Sequence, residues 1–510
     1  MIREGKSVKI VNNSILLYIR MMVVMFINLY TVRIVLSALG ETDYGIYNVV
    51  AGVITMLNGV TTVLASATQR YYSYSIGENN HALLPEIFST STNIFAIASI
   101  SVIILGETIG LWFLNTQLVI PPDRLGAANW IYQFSILSFV FSMMKSPFSS
   151  AIIANENMGV FAIISFCDCL LRFGVAWLLL ISPIDKLIFY GGLMLLIHFI
   201  DFGFNFGYCR KNYDECRYVK ISHKDLYKKM FSFSGWTFFG SMAGVCMNQF
   251  ITLLVNIFFG PTANAARAIA MQINGALSSF CGSFIMAVRP PMIKSYAEHD
   301  YSYLNKLFSL SNKFTYYCML FIVLPLYIEM EVVLDLWLGN SSEQMCLFSR
   351  LILIYAFILS LNNPITIIMQ AADRVKQYYI FVEVFTLLCP VIVFVLYKVG
   401  CPVESAFWCM ICSILLSHFV RIWCINKYYS GFNLRDYVFS FIIPAIIITI
   451  IDVVVVLLMT HVINDGIVRM MIILVVSFVI VFFLAFLFGI SKEERLFVKG
   501  LIKKLSSHVE

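Results

Sequence analysis

Eight ionisable side chains lie inside long apolar runs: Arg20, Arg33, Lys145, Asp168, Arg172, Asp201, Arg267 and Asp452. A charge held at the centre of a bilayer costs about 2.5–3.5 kcal/mol on insertion scales, so one that is retained faces a wet cavity, a partner or a ligand. A guanidinium in such a place can grip carboxylate or phosphate oxygens through paired hydrogen bonds. An embedded carboxylate can take up a proton or a small cation.

The positions differ in what they suggest. Arg20 lies about one turn from the start of its run, where it either lines a cavity or snorkels to the interface. Arg33 lies near the far end of the same run, before Gly40, and Arg267 follows Gly260 by one to two turns, so both enter corresponding ends of two segments. Asp168 and Arg172 are four apart, the spacing of an ion pair on one helix face; the alternative is a pair that breaks during ion coupling. Asp201 is a candidate proton or cation site. Uncharged polar residues add a stripe: Tyr44, Asn48, Thr55, Asn58 and Thr62 follow three-, four- and seven-residue steps, and Asn264, Gln272 and Asn274 surround Arg267. Most such residues mediate helix packing in membranes, but hydroxyls, amides and Arg together also suit sugar and phosphate groups. The candidate binding set is therefore Arg20, Arg33, Asn48, Asn58, Arg267 and Gln272, with Asp168 and Asp201 for coupling to Na+ or H+. No metal or organic cofactor is expected.

The elements that must position these residues are membrane helices. The chain has 510 residues, 60% hydrophobic and 13% charged, with a mean hydropathy of +0.84. About fourteen apolar runs of spanning length follow one another, centred near residues 27, 57, 100, 138, 169, 199, 248, 276, 323, 358, 388, 415, 449 and 477. The runs are continuous rather than alternating, which excludes a β-barrel. The first run lacks a small-residue cleavage site and reads as a retained span.

Lys and Arg set the orientation, because cytoplasmic loops keep positive charge. With the N-terminus inside, the outer loops hold only Arg124, Lys186, Lys398 and Arg469, and the inner loops hold Arg70, Arg289, Arg374 and Arg421 along with the dense clusters around residues 210–229 and 492–504. Both termini are then cytoplasmic. The net charge of +6 is a topology signal; a nucleic-acid surface would need the basic residues gathered on one polar module. The thirteen cysteines lie mostly in apolar spans, where they act as small hydrophobes, and Cys409 and Cys412 lack a second pair or His at zinc spacing. The seven His are scattered, and no nucleophile–base pair or large outer loop suggests an enzyme.

The basic loop after the sixth run is the best boundary. It divides the chain into a six-helix bundle (residues 1–212), a basic cytoplasmic linker (213–224), a second six-helix bundle (225–432), two additional helices (433–490) and a basic tail (491–510) that can lie on the inner leaflet. Sliding the chain by 220 residues aligns 18–80 with 238–300 without a gap, matching Asn28 with Asn248, Gly40 with Gly260, Ser75 with Ser295 and Glu78 with Glu298. Six spans per repeat place both copies in the same orientation, the arrangement of transporters built from parallel repeats.

The segment from Thr31 to Asn80 carries R-I-V-L-x-A-L-G-x-x-D-Y-G-I-Y (Arg33 to Tyr47) and S-A-T-Q-R (Ser66 to Arg70). It resembles the start of bacterial O-antigen and capsule oligosaccharide flippases of the multidrug/oligosaccharidyl-lipid/polysaccharide exporter superfamily. The alanine-rich run from Ala263 to Ile273, the chain length and the 6+6+2 division are similar to the same family. The resemblance implies movement of an undecaprenyl-pyrophosphate-linked sugar unit across the bacterial inner membrane by alternating access, with Arg33, Arg267 and Arg20 near the pyrophosphate. It also implies membrane lipids and polysaccharide polymerase machinery as partners. Related drug exporters use an acidic first-span residue for ion coupling, and this first span has none. A cation-coupled multidrug exporter is the nearest alternative, and a polysaccharide polymerase is a more distant one.

Overall fold

The computed structural model describes residues 2–55, 58–116, 120–182, 185–221, 225–338 and 342–490; for some helical residues, Asn48 among them, only the backbone is described. The described residues are almost entirely helical, with no strand among them. Among the described residues thirteen helices are long and apolar enough to cross a membrane, against the fourteen runs expected along the whole chain. The missing run is the one centred near residue 57, which falls across the undescribed positions 56–57 between helices Ile2–Thr55 and Asn58–Gly77. Many large apolar side chains on the thirteen are exposed, such as Ile97, Trp112, Phe250 and Val468. That pattern suits helices whose outer surface meets lipid, since a helix satisfies all its backbone hydrogen bonds internally.

Two helical stretches bend at a glycine. Gly40 has φ 76° and ψ 169° inside Ile2–Thr55, and Gly260 has φ 81° and ψ −176° inside Asp225–Ala297. These angles are open to glycine and strained for residues with a Cβ. The two breaks are 220 residues apart, as are the left-handed turn residues Asn79 (φ 55°) and His299 (φ 56°). Their hydrogen bonds repeat too: Asn80 N donates to Ser75 O at 3.0 Å, and Asp300 N donates to Ser295 O at 3.0 Å. The gapless offset seen in the sequence therefore recurs in the backbone.

The chain separates into two compact units, one spanning Asn12–Phe238 and the other built on the helices from Phe239 onward; the dividing point lies within the helix that starts at Asp225. In the first unit a buried cluster runs from Ile46 through Tyr72, Phe95, Ile131 and Met143 to Cys209, and a second one packs Val35 against Ala176 and Leu179. In the second unit Ile251, Val255 and Ala266 pack on Ile352, Val393 and Phe407. Helix Ile467–Leu484 joins through Val481, which packs with Leu320 and Ile448.

Candidate functional site

In the first unit, helices Leu125–Ala154, Met158–Leu180 and Lys186–Asn212 carry four of the eight embedded charges. Arg172 Nε donates to Asp168 Oδ2 at 2.9 Å, the i,i+4 pair that the spacing suggests. Its Nη2 reaches His198 Nε2 at 3.4 Å, and His198 Nδ1 lies 2.8 Å from the carbonyl of Met194. Nδ1 can only donate to a carbonyl, so Nε2 is left to accept from Arg172 and the imidazole is neutral. Lys145 Nζ donates to Asp201 Oδ2 at 2.5 Å, and Asn205 donates to the other carboxylate oxygen at 3.1 Å. Both candidate coupling carboxylates are thus tied to basic side chains.

His198 also lines a cavity of about 110 Å³ with Tyr47, Asn58, Ser135, Ser138 and Ser142. Its polar lining is amide, hydroxyl and imidazole, with no carboxylate. The Tyr47 ring is held edge-on to Tyr190, 4.8 Å between centroids. Of the residues expected to bind substrate, Asn58 is the one that lines this cavity. Arg20 is half-buried, lies 5.0 Å from the centroid of Phe161 and has an Nε without a hydrogen-bond partner among the described residues. Arg33 is exposed on the unit. The Asn48 side chain lies outside the described residues.

In the second unit Arg267 is buried, 3% exposed, and follows Ala266 of the core cluster in sequence. Its Nη1 donates to Thr252 Oγ1 at 2.7 Å and its Nη2 to Asn248 Oδ1 at 3.1 Å, while Nε has no partner among the described residues. None of the described carboxylates pairs with it. Gln272 is exposed five residues further on. The expected six-residue binding set is therefore split: Arg20, Arg33 and Asn58 are placed in one unit, Arg267 and Gln272 in the other.

Sequence reasoning missed a second polar cluster here. Arg421, counted among the inner-loop cations, is buried within Ser405–Tyr428; it donates to the Tyr378 hydroxyl and to Thr366 Oγ1 (3.3 Å) and lies 3.6 Å from Glu383 Oε1. His418 Nδ1 lies 2.8 Å from Asn362 Oδ1, one turn before Arg421. Arg289, also counted as an inner-loop residue, donates to Gln370 at 2.6 Å. Glu383 is the residue that could have betrayed this cluster, being a lone carboxylate in an otherwise apolar span. Elsewhere in the second unit Arg469 grips the buried Glu329 at 2.6 and 2.9 Å, and in the first unit Arg124 pairs with Asp43 and with Asp185.

No family model matches the sequence, and no curated protein matches it. Solved structures do match. A MATE transporter in a bent conformation superposes with a TM-score of 0.72 at 11% identity, covering 83% of this chain and 95% of its own. An outward-facing multidrug resistance MATE transporter of the MOP superfamily gives 0.67 at 13%, covering 83% and 96%. A MOP superfamily transporter from Pyrococcus furiosus Vc1, described as having a binding pocket of reversed polarity that suggests a different function, gives 0.68 at 12% and the same coverage. At such identities the likeness is one of fold. The chain is a multi-pass membrane protein with the fold of the MATE transporters of the MOP superfamily.

Proposed function

We propose that this chain is a transporter of the MOP type that carries an anionic, sugar-bearing lipid across the membrane, the lipid-linked oligosaccharide implied by the sequence resemblance. The observation that carries the reading is the state of Arg267, a buried guanidinium whose described partners are all neutral and whose Nε is unused. A buried cation without a counter-charge is costly, and an anionic group that approaches it recovers that cost. The first unit has the same bias: Asp168 and Asp201 are paired with Arg172 and Lys145, whereas Arg20 lies over the Phe161 ring and forms no ion pair among the described residues. A hydrophobic cation would find no unpaired carboxylate at these positions. The hydroxyl and amide lining around Asn58 and His198 offers sugar hydroxyls both donors and acceptors.

The reading includes alternating access, an inner-membrane location with both termini cytoplasmic, and no bond chemistry. Multidrug export is the competing reading, favoured by the fold neighbours that carry that description. Complementation separates the two. In a strain lacking its own oligosaccharide flippase, wild type and Arg267→Lys restore surface glycan, and Arg267→Glu at equal membrane abundance does not. Full restoration by Arg267→Glu, or drug resistance without glycan restoration by the wild type, would reject the proposal.

A further inference from the structure

The second unit holds a cavity that nothing in the transport reading uses. It has a volume of about 130 Å³ and lies between the first turns of helix Tyr301–Ile328 and the short helix Leu434–Tyr437 that leads into Ile443–Val462. Its walls are aromatic: Phe308 stacks on Tyr437 at 6.0 Å, and Phe432 and Phe441 lie 5.5 and 5.3 Å from the same Tyr437 ring. Its polar atoms are incomplete. Asn312 is 0% exposed and its amide nitrogen is spent on the carbonyl of Phe308, so its Oδ1 is left as an unpaired acceptor. The buried Tyr437 hydroxyl likewise has no hydrogen-bond partner among the described residues. Asp436 adds a carboxylate that forms no ion pair among the described residues.

Unpaired buried acceptors are costly, and they call for a guest that donates N–H or O–H. An aromatic wall with a carboxylate selects among donors for a cation. The volume is several times the roughly 30 Å³ of one water, enough for an ammonium with a short stem. We propose that this cavity binds a primary ammonium group, with Asp436 supplying the counter-charge, Asn312 Oδ1 and the Tyr437 hydroxyl accepting N–H donors, and Phe308 and Phe432 facing the cation. The cavity lies toward the starting ends of two candidate spans, so the two sources of such a group are an ethanolamine phospholipid and a free amine. A quaternary ammonium satisfies the rings and Asp436 but leaves Asn312 Oδ1 without a donor, so the site distinguishes primary from trimethylated amines.

The test uses the full chain purified in detergent. Thermal unfolding is followed with added phosphatidylethanolamine, phosphatidylcholine, phosphatidylglycerol or free ethanolamine. Stabilisation by phosphatidylethanolamine above the other two lipids, weakened about tenfold in half-saturating concentration by Asp436→Asn or Tyr437→Phe, supports the lipid source; the same pattern with ethanolamine alone supports the free amine. Tyr437→Phe keeps the ring, so it reports on the hydroxyl even where Asp436→Asn lowers expression. Equal stabilisation by phosphatidylethanolamine and phosphatidylcholine, or no response to any amine, shows a merely hydrated cavity and overturns the proposal.

Discussion

Lys145 Nζ lies 2.5 Å from Asp201 Oδ2, and the residues 217 positions further along, Asn362 and His418, meet in the same way at 2.8 Å. Each pair joins a residue two before a proline, Pro147 or Pro364, to a helix two spans on. The two repeats thus keep one contact while changing its charge: an ion pair in the first unit, an imidazole–amide pair in the second. The left-handed turns at Glu156 and Asp373 are 217 apart as well, so the offset has shortened by three residues since Gly40 and Gly260.

The ion pair makes a prediction about stability. Asp201 is buried, and removing it strands a lysine, so Asp201→Asn should cost about 3 kcal/mol. Lys145→Met should cost a similar amount, and the double variant should recover most of the loss. A double-mutant cycle of unfolding in detergent measures this; additive losses would show that the two groups do not interact. Transport by the stable double variant then tests coupling at Asp201 directly. Wild-type ion dependence in that variant would exclude it.

The glycine breaks predict a second asymmetry. A Cβ at Gly40 or Gly260 would touch nothing within 4 Å, so the cost of alanine there is backbone strain alone, about 1–2 kcal/mol each. Gly244 also has open space around it but sits in regular helix, where alanine is favoured by up to about 1 kcal/mol. Thermal midpoints should fall for Gly40→Ala and Gly260→Ala and hold or rise for Gly244→Ala.

A third prediction concerns pH. Desolvation pushes the Asp185 carboxyl up, but the amides of Ile188 and Leu187 and the guanidinium of Arg124 outweigh it and hold the carboxyl below its ordinary value of 3.8. A carboxyl lowered by folding contributes stability above its unfolded value, and that contribution is lost as pH falls through the folded value. The midpoint should therefore be insensitive to this group from pH 5 to 8 and drop below about pH 4. In Arg124→Gln the acid drop should shrink and the stability at neutral pH should fall by no more than about 1 kcal/mol, as suits a partly exposed pair. An unchanged acid limb in Arg124→Gln would show that the backbone amides alone lower this group.

The helices and their repeat were legible because hydropathy and glycine placement are local properties of sequence. The Asp168–Arg172 pair was legible for the same reason, being one turn apart. Lys145 and Asp201 are 56 residues apart, and only packing brings them together. Arg421 and Arg289 were misplaced into loops because they stand near the ends of apolar runs, where charge density cannot distinguish a cytoplasmic cation from one drawn into the protein. Arg33 and Arg267 looked equivalent by depth, yet one is exposed and the other buried. A helix that is apolar on nearly every side has no polar face from which its rotation can be read.

The most direct test is binding of a pyrophosphate-linked lipid to the purified chain in proteoliposomes, compared between wild type, Arg267→Lys and Arg267→Gln. Loss of the charge should weaken binding about tenfold or more, as expected for one charge-assisted contact, with Lys retaining part of the affinity and a neutral lipid of equal chain length unaffected. Equal binding by all three proteins, or displacement of the lipid by hydrophobic cations in the wild type, would contradict an anion-carrying role for this buried arginine.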